Sequence, residues 1–440
     1  MNALNKAAGC VAVALLLGCR RADTEPKWAV HEWGTFTSLQ NEAGEAIGGI
    51  NTDDEPVPSF VYDIGNSVVP ARSELSPAFA ARARMTKGSI PRLHPDVTLR
   101  LETPVAYFHL PKNMRTAKLD VGVAFNGGWL SQYYPLAVAN MGQGDTMTGR
   151  ITPETVGTLS WTALEIGTGG AGPKTDDAVW LAPRNVKAES LRTANGESEK
   201  FLFYRGLGNV ASPLSAKHGA AGLELAGGDD ITQIWHVDVR ADGTVAYTGG
   251  KRSFAGFSEK DYSVARLADL KKEMHKALVR EGLFADEAAA MLKTWDYSYF
   301  KAAGERVFYL VPQKWTDTVL PIKFSVPVDA TRVMIGRIEL VGARQSVALE
   351  RMKNAAADDI QSFIEKSTKD IKDWQLYQEV SSGRKPVAVL GAEVPEMYKD
   401  YLQLGRFRDA ILLDENARHP SASLARFIEL NQIAMHVLPN

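Results

Sequence analysis

The stretch VHEWGTF, residues 30–36, holds the residue types most able to do chemistry near the start of the chain. In an HExxH helix, two histidines one turn apart bind zinc and the glutamate acts as a base. That pattern needs histidine at position 35, where this chain has Thr35. The residues after Trp33 also favour a strand, because glycine disfavours a helix while threonine and phenylalanine suit a sheet. A zinc site of the HExxH type is therefore excluded.

A β-strand over WAVHEWGTFTSLQ gives this stretch an architectural role instead. Side chains alternate between the two faces of a strand, so His31, Trp33 and Thr35 share one face and Glu32 lies on the other. Trp33 is the predicted buried anchor, and Gly34 allows a bulge or a close neighbouring backbone. His31 and Glu32 point apart and are not expected to bind one ion together.

Other local patterns predict neither a metal nor a cofactor. The eight histidines include no i, i+2 or i, i+4 pair of the kind found in local metal motifs. In GTGGAGPKT, residues 167–175, Pro173 interrupts the spacing of a phosphate-binding loop and offers no N–H. Asp53 and Asp54 lie in an acidic loop, NTDDEP, which lacks the spacing of an EF-hand. Solvated acids are favoured there over a calcium site.

Two aromatic stretches are candidates for ligand binding. FYRGLGN, residues 203–209, contains two glycines that let its backbone approach a strand or a ligand closely. KTWDYSYF, residues 293–300, offers a polar-aromatic surface of the kind that binds sugars or peptides. In both cases a buried aromatic with a satisfied polar end is the commoner structure. The predicted ligand-binding residues are His31, Glu32, Tyr204, Arg205, Asn209 and Trp295.

Residues 1–19 have the pattern of a lipoprotein leader. Lys6 precedes the apolar run VAVALLL, which is too short to span a bilayer and is typical of a signal peptide. The sequence LLGC, ending at Cys19, resembles the lipobox of bacterial lipoproteins, in which the cysteine is lipidated and the chain is cut just before it. The alternative is an ordinary signal peptide with a chance cysteine. Arg20 after the cysteine favours the outer membrane, by resemblance to the enterobacterial sorting rule.

The composition of the 440-residue chain is that of an ordinary globular protein, with 45% hydrophobic and 23% charged residues. A formal charge of −2 and the lack of a basic stripe argue against a nucleic-acid partner. The only other cysteine, Cys10, lies in the leader. The processed chain would therefore have neither disulfides nor a thiolate nucleophile.

The order of strand-like and helical patterns predicts an α+β fold with an antiparallel, sandwich-like β core. An inserted helical pair is predicted, and the face of its first helix is given by the helical spacing of Val264, Leu267, Leu270, Met274 and Leu278. A single long amphipathic helix is predicted from about Gln345 to Tyr377. The predicted segments are a signal peptide (1–18), a lipidated tether (19–27), a β-rich domain (28–258), a helical insertion (259–300), strands that complete the β core (301–344) and a helical C-terminal region (345–440).

Several spaced motifs together resemble a family of secreted or lipid-anchored bacterial proteins of uncharacterised function. They are HEWGTF, ETPVAYFH, FLFYRGLGN, EAAAMLKTW and ERVFYLVP…WTDTVLPI, and they cover residues from about 28 to 340. The resemblance implies a place in the cell envelope. It brings no assigned reaction, and so it implies no catalytic residue.

These observations favour a cell-envelope lipoprotein that binds a protein or a glycan and is attached to the membrane by its N-terminal lipid. The alternative is an envelope hydrolase with acid–base residues drawn from His31, Glu32, Asp53 and Asp54. A pocket in which His31 meets other polar residues would favour the enzyme.

Overall fold

A computed structural model describes residues 28–51, 57–63, 93–140, 150–250, 252–373, 376, 385 and 387–435. The leader with Cys19, and the acidic pair Asp53 and Asp54, lie outside these residues. Strands β1 to β18 are, in chain order, Trp28–Gln40, Tyr62–Asp63, Leu99–His109, Ala117–Asn126, Gly128–Tyr134, Val138–Asn140, Val156–Ile166, Leu191–Arg192, Ser198–Glu199, Leu202–Gly208, Leu214–Gly219, Gly222–Gly227, Ile234–Val239, Val245–Gly249, Ser253–Ala255, Gly304–Val311, Ile322–Phe324 and Val328–Leu340. Helices α1 to α10 are Ala178–Arg184, Ala265–Arg280, Ala285–Thr294, Asp296–Phe300, Gln313–Val319, Ala343–Asn354, Ile360–Thr368, Glu396–Gln403, Arg408–Arg418 and Ala422–Leu430.

The fold is mixed α/β, built around one large and mostly antiparallel sheet. Fifteen strands belong to this sheet, and β11, β12 and β15 form a separate three-stranded sheet. Core residues from distant strands of the large sheet, such as Val121 in β4 and Met334 in β18, share one hydrophobic cluster. One face of the large sheet therefore closes around a common core. The predicted sandwich of two packed sheets is not confirmed, because these strands are joined by hydrogen bonds into a single sheet.

Strand β1 is the predicted strand, with the same limits, and it lies inside the sheet between β18 and β3. It runs parallel to β18 and antiparallel to β3. The ring of Trp33 is fully buried, at 0% exposure. A β-bulge falls between Trp33 and Thr35, and a Cβ atom on Gly34 would lie 3.0 Å from the Cα of Pro104. The bulge and the close backbone expected at this glycine are both present.

The inserted helices cover the face of the sheet that carries Trp33. Leu270, Met274 and Leu278 of α2 are buried, as their spacing predicts, and they pack in one cluster with Trp33 and Trp235. The prediction for Val264 is wrong: it is 65% exposed, because α2 begins only at the next residue.

The predicted single helix from Gln345 to Tyr377 is wrong. Helix α6 ends at Asn354 and α7 begins at Ile360. The side chain of Asp359 accepts a hydrogen bond from the N–H of Ser362 at 2.9 Å, so it caps a new helix where the sequence pattern suggested continuity. In the part of the chain that the structure describes, no helix combines the length and the apolar character needed to cross a bilayer.

Candidate metal centre

Two histidines and one glutamate converge at one end of β1. His31 Nδ1 lies 2.7 Å from Glu287 Oε2, and His109 Nε2 lies 2.8 Å from Glu287 Oε1. One potential ligand atom from each of the three side chains lies within 4.8 Å of the other two. Among the described residues, His31, His109 and Glu287 are the group of three histidine, cysteine, aspartate or glutamate side chains whose ligand atoms come this close together.

Three separate elements position these side chains. His31 lies in β1 opposite Tyr107 of β3, and His109 is the last residue of β3. The two imidazole rings are diagonal neighbours across the strand pair, with centroids 5.0 Å apart. Glu287 lies in the first turn of α3, where its Oε2 also accepts the backbone N–H of Phe284 at 2.7 Å. This capping bond holds the carboxylate toward the sheet.

The Glu287 carboxyl is buried but charged. Burial raises the pKa of a carboxyl group, yet hydrogen bonds from His109 and His31, with the charge of His31, lower the pKa of Glu287 below its usual range. The side chain is 0% exposed, whereas that of His109 is 14% exposed. The centre is therefore closed on the glutamate side and reaches solvent beside His109.

An aromatic ring covers the two histidines. The Phe284 ring lies 4.5 Å from the ring of His31 and 4.9 Å from the ring of His109, measured between centroids. Phe284 itself is 48% exposed. It shields both imidazoles from water without burying its own outer face, so the cluster has one apolar wall that solvent can reach.

Two kinds of chemistry suit this arrangement. Two imidazole nitrogens and one carboxylate are the donor set of several catalytic zinc sites, and they also suit other divalent transition metals. Without a metal, the carboxylate would fix the tautomer and orientation of each histidine and prepare it for acid–base work. Both uses need a charged Glu287, which the lowered pKa provides.

A second His–Glu–His cluster joins the two sheets. His218 of β11 lies 3.2 Å from Glu305 Oε2, and His236 of β13 lies 2.7 Å from Glu305 Oε1. Burial raises the pKa of Glu305, but the bonds from both histidines outweigh it and lower this pKa to about 2. The bond to Glu305 raises the pKa of His218. This cluster works as a charged clamp between the small sheet and the large one.

Glu32 and Tyr204, two of the sequence candidates, do meet, but on the opposite face of β1 from His31. The Tyr204 hydroxyl donates a short hydrogen bond to Glu32 Oε1, and Arg332 Nε donates to Glu32 Oε2 at 2.5 Å. Burial raises the pKa of Glu32, and Arg332 lowers it only in part. All three side chains are buried, so this network joins strands in the core.

Arg205, Asn209 and Trp295 are placed apart from His31. Arg205 Nε donates to Thr103 Oγ1 at 3.2 Å, and Asn209 Nδ2 donates to the carbonyl of Ile151 at 3.0 Å. Trp295 is 2% exposed and stacks on Tyr299. Trp295 is therefore a buried core residue and does not form part of a polar-aromatic binding surface.

His109 and Glu287 are the two members of the centre that the sequence patterns did not single out. Glu287 is separated from His31 by 256 residues and from His109 by 178. Motifs defined by local spacing cannot detect three residues this far apart in sequence. The expectation that no metal binds considered local spacing only. No protein-family model matches the chain, and no curated protein matches it.

Proposed function

We propose that this chain is a cell-envelope protein, anchored by a lipid on Cys19, which holds a divalent transition-metal ion between His31, His109 and Glu287. The observation that carries the proposal is the convergence of three ligand-capable atoms within 4.8 Å. Two imidazoles and a carboxylate are the donor set of one class of catalytic zinc site and also of non-haem iron(II) sites, and zinc is the metal that we propose. The resemblance to lipobox sequences supports the anchor, and Arg20 supports the outer membrane.

The distances between the histidine nitrogens and the Glu287 oxygens show how far the side chains must move to bind a metal ion. Bonds of about 2.0–2.1 Å to zinc place tetrahedral ligand atoms about 3.3 Å apart. The two histidine nitrogens lie 2.7 and 2.8 Å from the Glu287 oxygens. The imidazole that contacts the metal-binding carboxylate oxygen must therefore move away by roughly half an ångström, and each metal-binding nitrogen must lose the proton that it donates to Glu287 in the metal-free protein. His109, the last residue of its strand, has the more exposed side chain of the two histidines, at 14% against 6%.

The donor set also favours a hydrolytic reaction over a purely structural ion. Structural zinc sites use four protein ligands, whereas catalytic sites use three and leave one position for water. A metal held by three ligands would lower the pKa of that water and supply the nucleophile for hydrolysis. The chain itself would hold the three ligands in place on β1, β3 and α3 and exclude bulk water with Phe284. We therefore propose an envelope hydrolase whose substrate enters beside His109.

Recognition of an envelope partner is the second proposal. It is favoured by a different observation, an aromatic cleft beside β2 that shares no residue with the metal ligands. Binding and hydrolysis are compatible in one protein, and each can be tested without the other.

Metal content tests the first proposal. The full-length lipoprotein would be extracted in detergent, dialysed, and analysed for zinc as wild type, as His109→Gln and as Glu287→Gln. His218→Gln, in the second His–Glu–His cluster, is the matched control. We expect about one zinc per chain in wild type and control and a tenfold or greater loss in the other two. Equal zinc in all four proteins, or none in wild type after zinc is supplied, would overturn the proposal.

A further inference from the structure

The cleft beside β2 has the lining of a sugar-binding site. We propose that it binds an uncharged saccharide chain, held against Tyr62 and oriented by Glu197. The cleft encloses about 630 Å³ and is lined by the aromatic residues Phe60, Tyr62 and Tyr134 and by the polar residues Ser59, Glu197 and Ser198. This inference rests on the second proposed function and is independent of the metal centre.

The aromatic side of the cleft is rigid. The ring of Tyr62 lies 5.8 Å from that of Tyr133 and 6.4 Å from that of Tyr134, with interplanar angles of 20° and 11°. Phe60 packs edge-on against Tyr134 and against Trp180. Tyr133, Tyr134 and Trp180 are buried, so they fix the two half-buried rings in front of them. A pyranose presents an apolar C–H face that fits such a preorganised ring.

The polar side of the cleft contains the carboxylate of Glu197, which two hydrogen bonds hold in place. Glu197 Oε1 accepts the Tyr62 hydroxyl at 2.5 Å, and Oε2 accepts the N–H of Leu136 at 2.7 Å. An ionised carboxylate has about four lone-pair sites, so acceptor capacity is left for hydroxyl groups of a ligand. Burial and the bond to Glu197 raise the pKa of Tyr62 to about 12, so the phenol keeps its proton at neutral pH.

The charge in the cleft decides between classes of ligand. Glu197 is a half-buried anion, and it would repel a phosphorylated or carboxylated ligand. The nearby guanidinium of Arg184 does not offset it, because Arg184 is paired with the buried carboxylate of Glu199 at 2.6 Å. An uncharged chain with many hydroxyl donors satisfies both the aromatic and the acidic walls. Neutral oligosaccharides, including those with N-acetyl groups, have this chemistry.

The strand that carries Tyr62 is itself short. Strand β2 has two residues, and it pairs with β5 through Tyr62 opposite Tyr133. This pairing places the Tyr62 ring beside those of Tyr133 and Tyr134, which belong to two different hydrophobic clusters, so Tyr62 packs against both clusters. A core role would have buried this ring, whereas the structure leaves it half-buried at the cleft.

Calorimetric titration with tetramers of β-1,4-linked N-acetylglucosamine, of β-1,4-linked glucose and of α-1,4-linked glucose tests the proposal. The full chain would be used as wild type, Tyr62→Ala, Glu197→Gln and Tyr297→Ala, the last an exposed tyrosine on α4 outside the cleft. We expect at least one tetramer to bind with a Kd below about 1 mM, to weaken tenfold or more with Tyr62→Ala, and to weaken also with Glu197→Gln. Tyr297→Ala should bind like wild type.

Three results would overturn the inference. They are failure of every tetramer to bind, binding that survives Tyr62→Ala in a folded protein, and binding of an extended proline-rich peptide at the cleft in place of a sugar. The peptide result would leave partner recognition intact while removing the saccharide. Chelator should not change saccharide affinity, so failure of the metal proposal would be seen separately. Melting curves of each variant identify any that fail to fold, and Glu197→Gln, which keeps the side chain's shape, serves if Tyr62→Ala does not fold.

Discussion

His109 Nε2 lies 2.8 Å from Glu287 Oε1, which joins the last residue of β3 to the first turn of α3. The same carboxylate contacts His31 through its other oxygen. A single buried glutamate therefore ties two strands of the sheet to the helical insertion. Because the three residues are far apart in sequence, their meeting depends on the whole fold, and it gives the protein a donor set that suits a metal ion.

Glu287→Gln should lower stability in metal-free protein. The amide keeps the shape of the side chain but removes the charge that accepts bonds from both histidines and from the Phe284 N–H. Hydrogen bonds to charged groups contribute about 1.5–3 kcal/mol each, so a loss of about 2 kcal/mol is expected in urea unfolding with chelator present. Wild-type stability in this variant would show that the carboxylate does not organise the centre.

Trp33→Ala should destabilise the fold far more than His31→Gln. Removal of a fully buried indole leaves a cavity and costs about 3–5 kcal/mol, and Trp33 is 0% exposed. Glutamine at position 31 can still donate to Glu287, so His31→Gln should cost less than about 2 kcal/mol. Thermal melts in chelator would compare the two. Equal melting temperatures for Trp33→Ala and wild type would contradict the anchoring role of this tryptophan.

Gly34→Ala should be destabilising although the residue added is small. Its Cβ atom would lie 3.0 Å from the Cα of Pro104 and 3.1 Å from the sulfur of Met334. The backbone contact cannot relax without moving β3, so we expect a loss of about 1–3 kcal/mol. Gly122→Ala is the control, since no atom lies within 4 Å of the corresponding Cβ position. Denaturant midpoints of both variants give the comparison.

The clamp formed by His218, His236 and Glu305 should make stability depend on pH. Glu305 has its pKa lowered from 4.5 to about 2, so its contribution is present above pH 4.5 and is lost as the pH falls toward 2. His218, with Glu42 also nearby, has its pKa raised above 6.5, so its contribution is present below pH 6.5 and is lost as the pH rises through the raised value. Both contributions are present together between these limits.

Glu305→Gln should therefore reduce the free energy of unfolding most between pH 4.5 and 6.5. A difference of about 1–2 kcal/mol from wild type is expected there, after discounting for the partial exposure of the clamp. The difference should narrow toward pH 2 and above neutral pH. A gap between wild type and variant that is constant from pH 3 to 9 would show that the charges of the clamp are not its source of stability.

Cys19→Ala should release the protein from membranes or halt its processing. Each buried methylene of an acyl chain contributes about 0.8 kcal/mol, and several chains together hold a protein firmly. Cys10→Ala, in the leader, should leave attachment unchanged. Membrane fractionation with mass spectrometry of the N-terminus reports both. An unmodified mature N-terminus beyond Cys19 would contradict lipid attachment at Cys19.

The local elements of the fold follow from the sequence where one physical rule dominates. Alternation and the Gly34 position predicted β1 with its bulge, and the spacing of Leu270 and Met274 predicted α2. Amphipathic spacing failed near Asp359, because a capping side chain starts a new helix there. The separation of strands into one sheet or two depends on long-range pairing, which periodicity does not encode.

Only part of the candidate site could be predicted from the sequence. His31 drew attention through its neighbour Glu32, yet the two lie on opposite faces, and the true partner is Glu287. Nothing in the residues around Glu287 distinguishes it from a helix-capping glutamate, which it also is. The pairing of β1 with β3 decides which histidine joins His31, and only the folded chain shows that register.

The X-ray absorption spectrum of zinc bound to the dialysed wild-type protein reports which side chains hold the metal ion. We expect two imidazole nitrogens and light oxygen ligands at about 2.0–2.1 Å, with one imidazole fewer in His109→Gln. A shell of oxygen atoms alone, or a spectrum unchanged by His109→Gln, would contradict the assignment of His31, His109 and Glu287 as the metal centre.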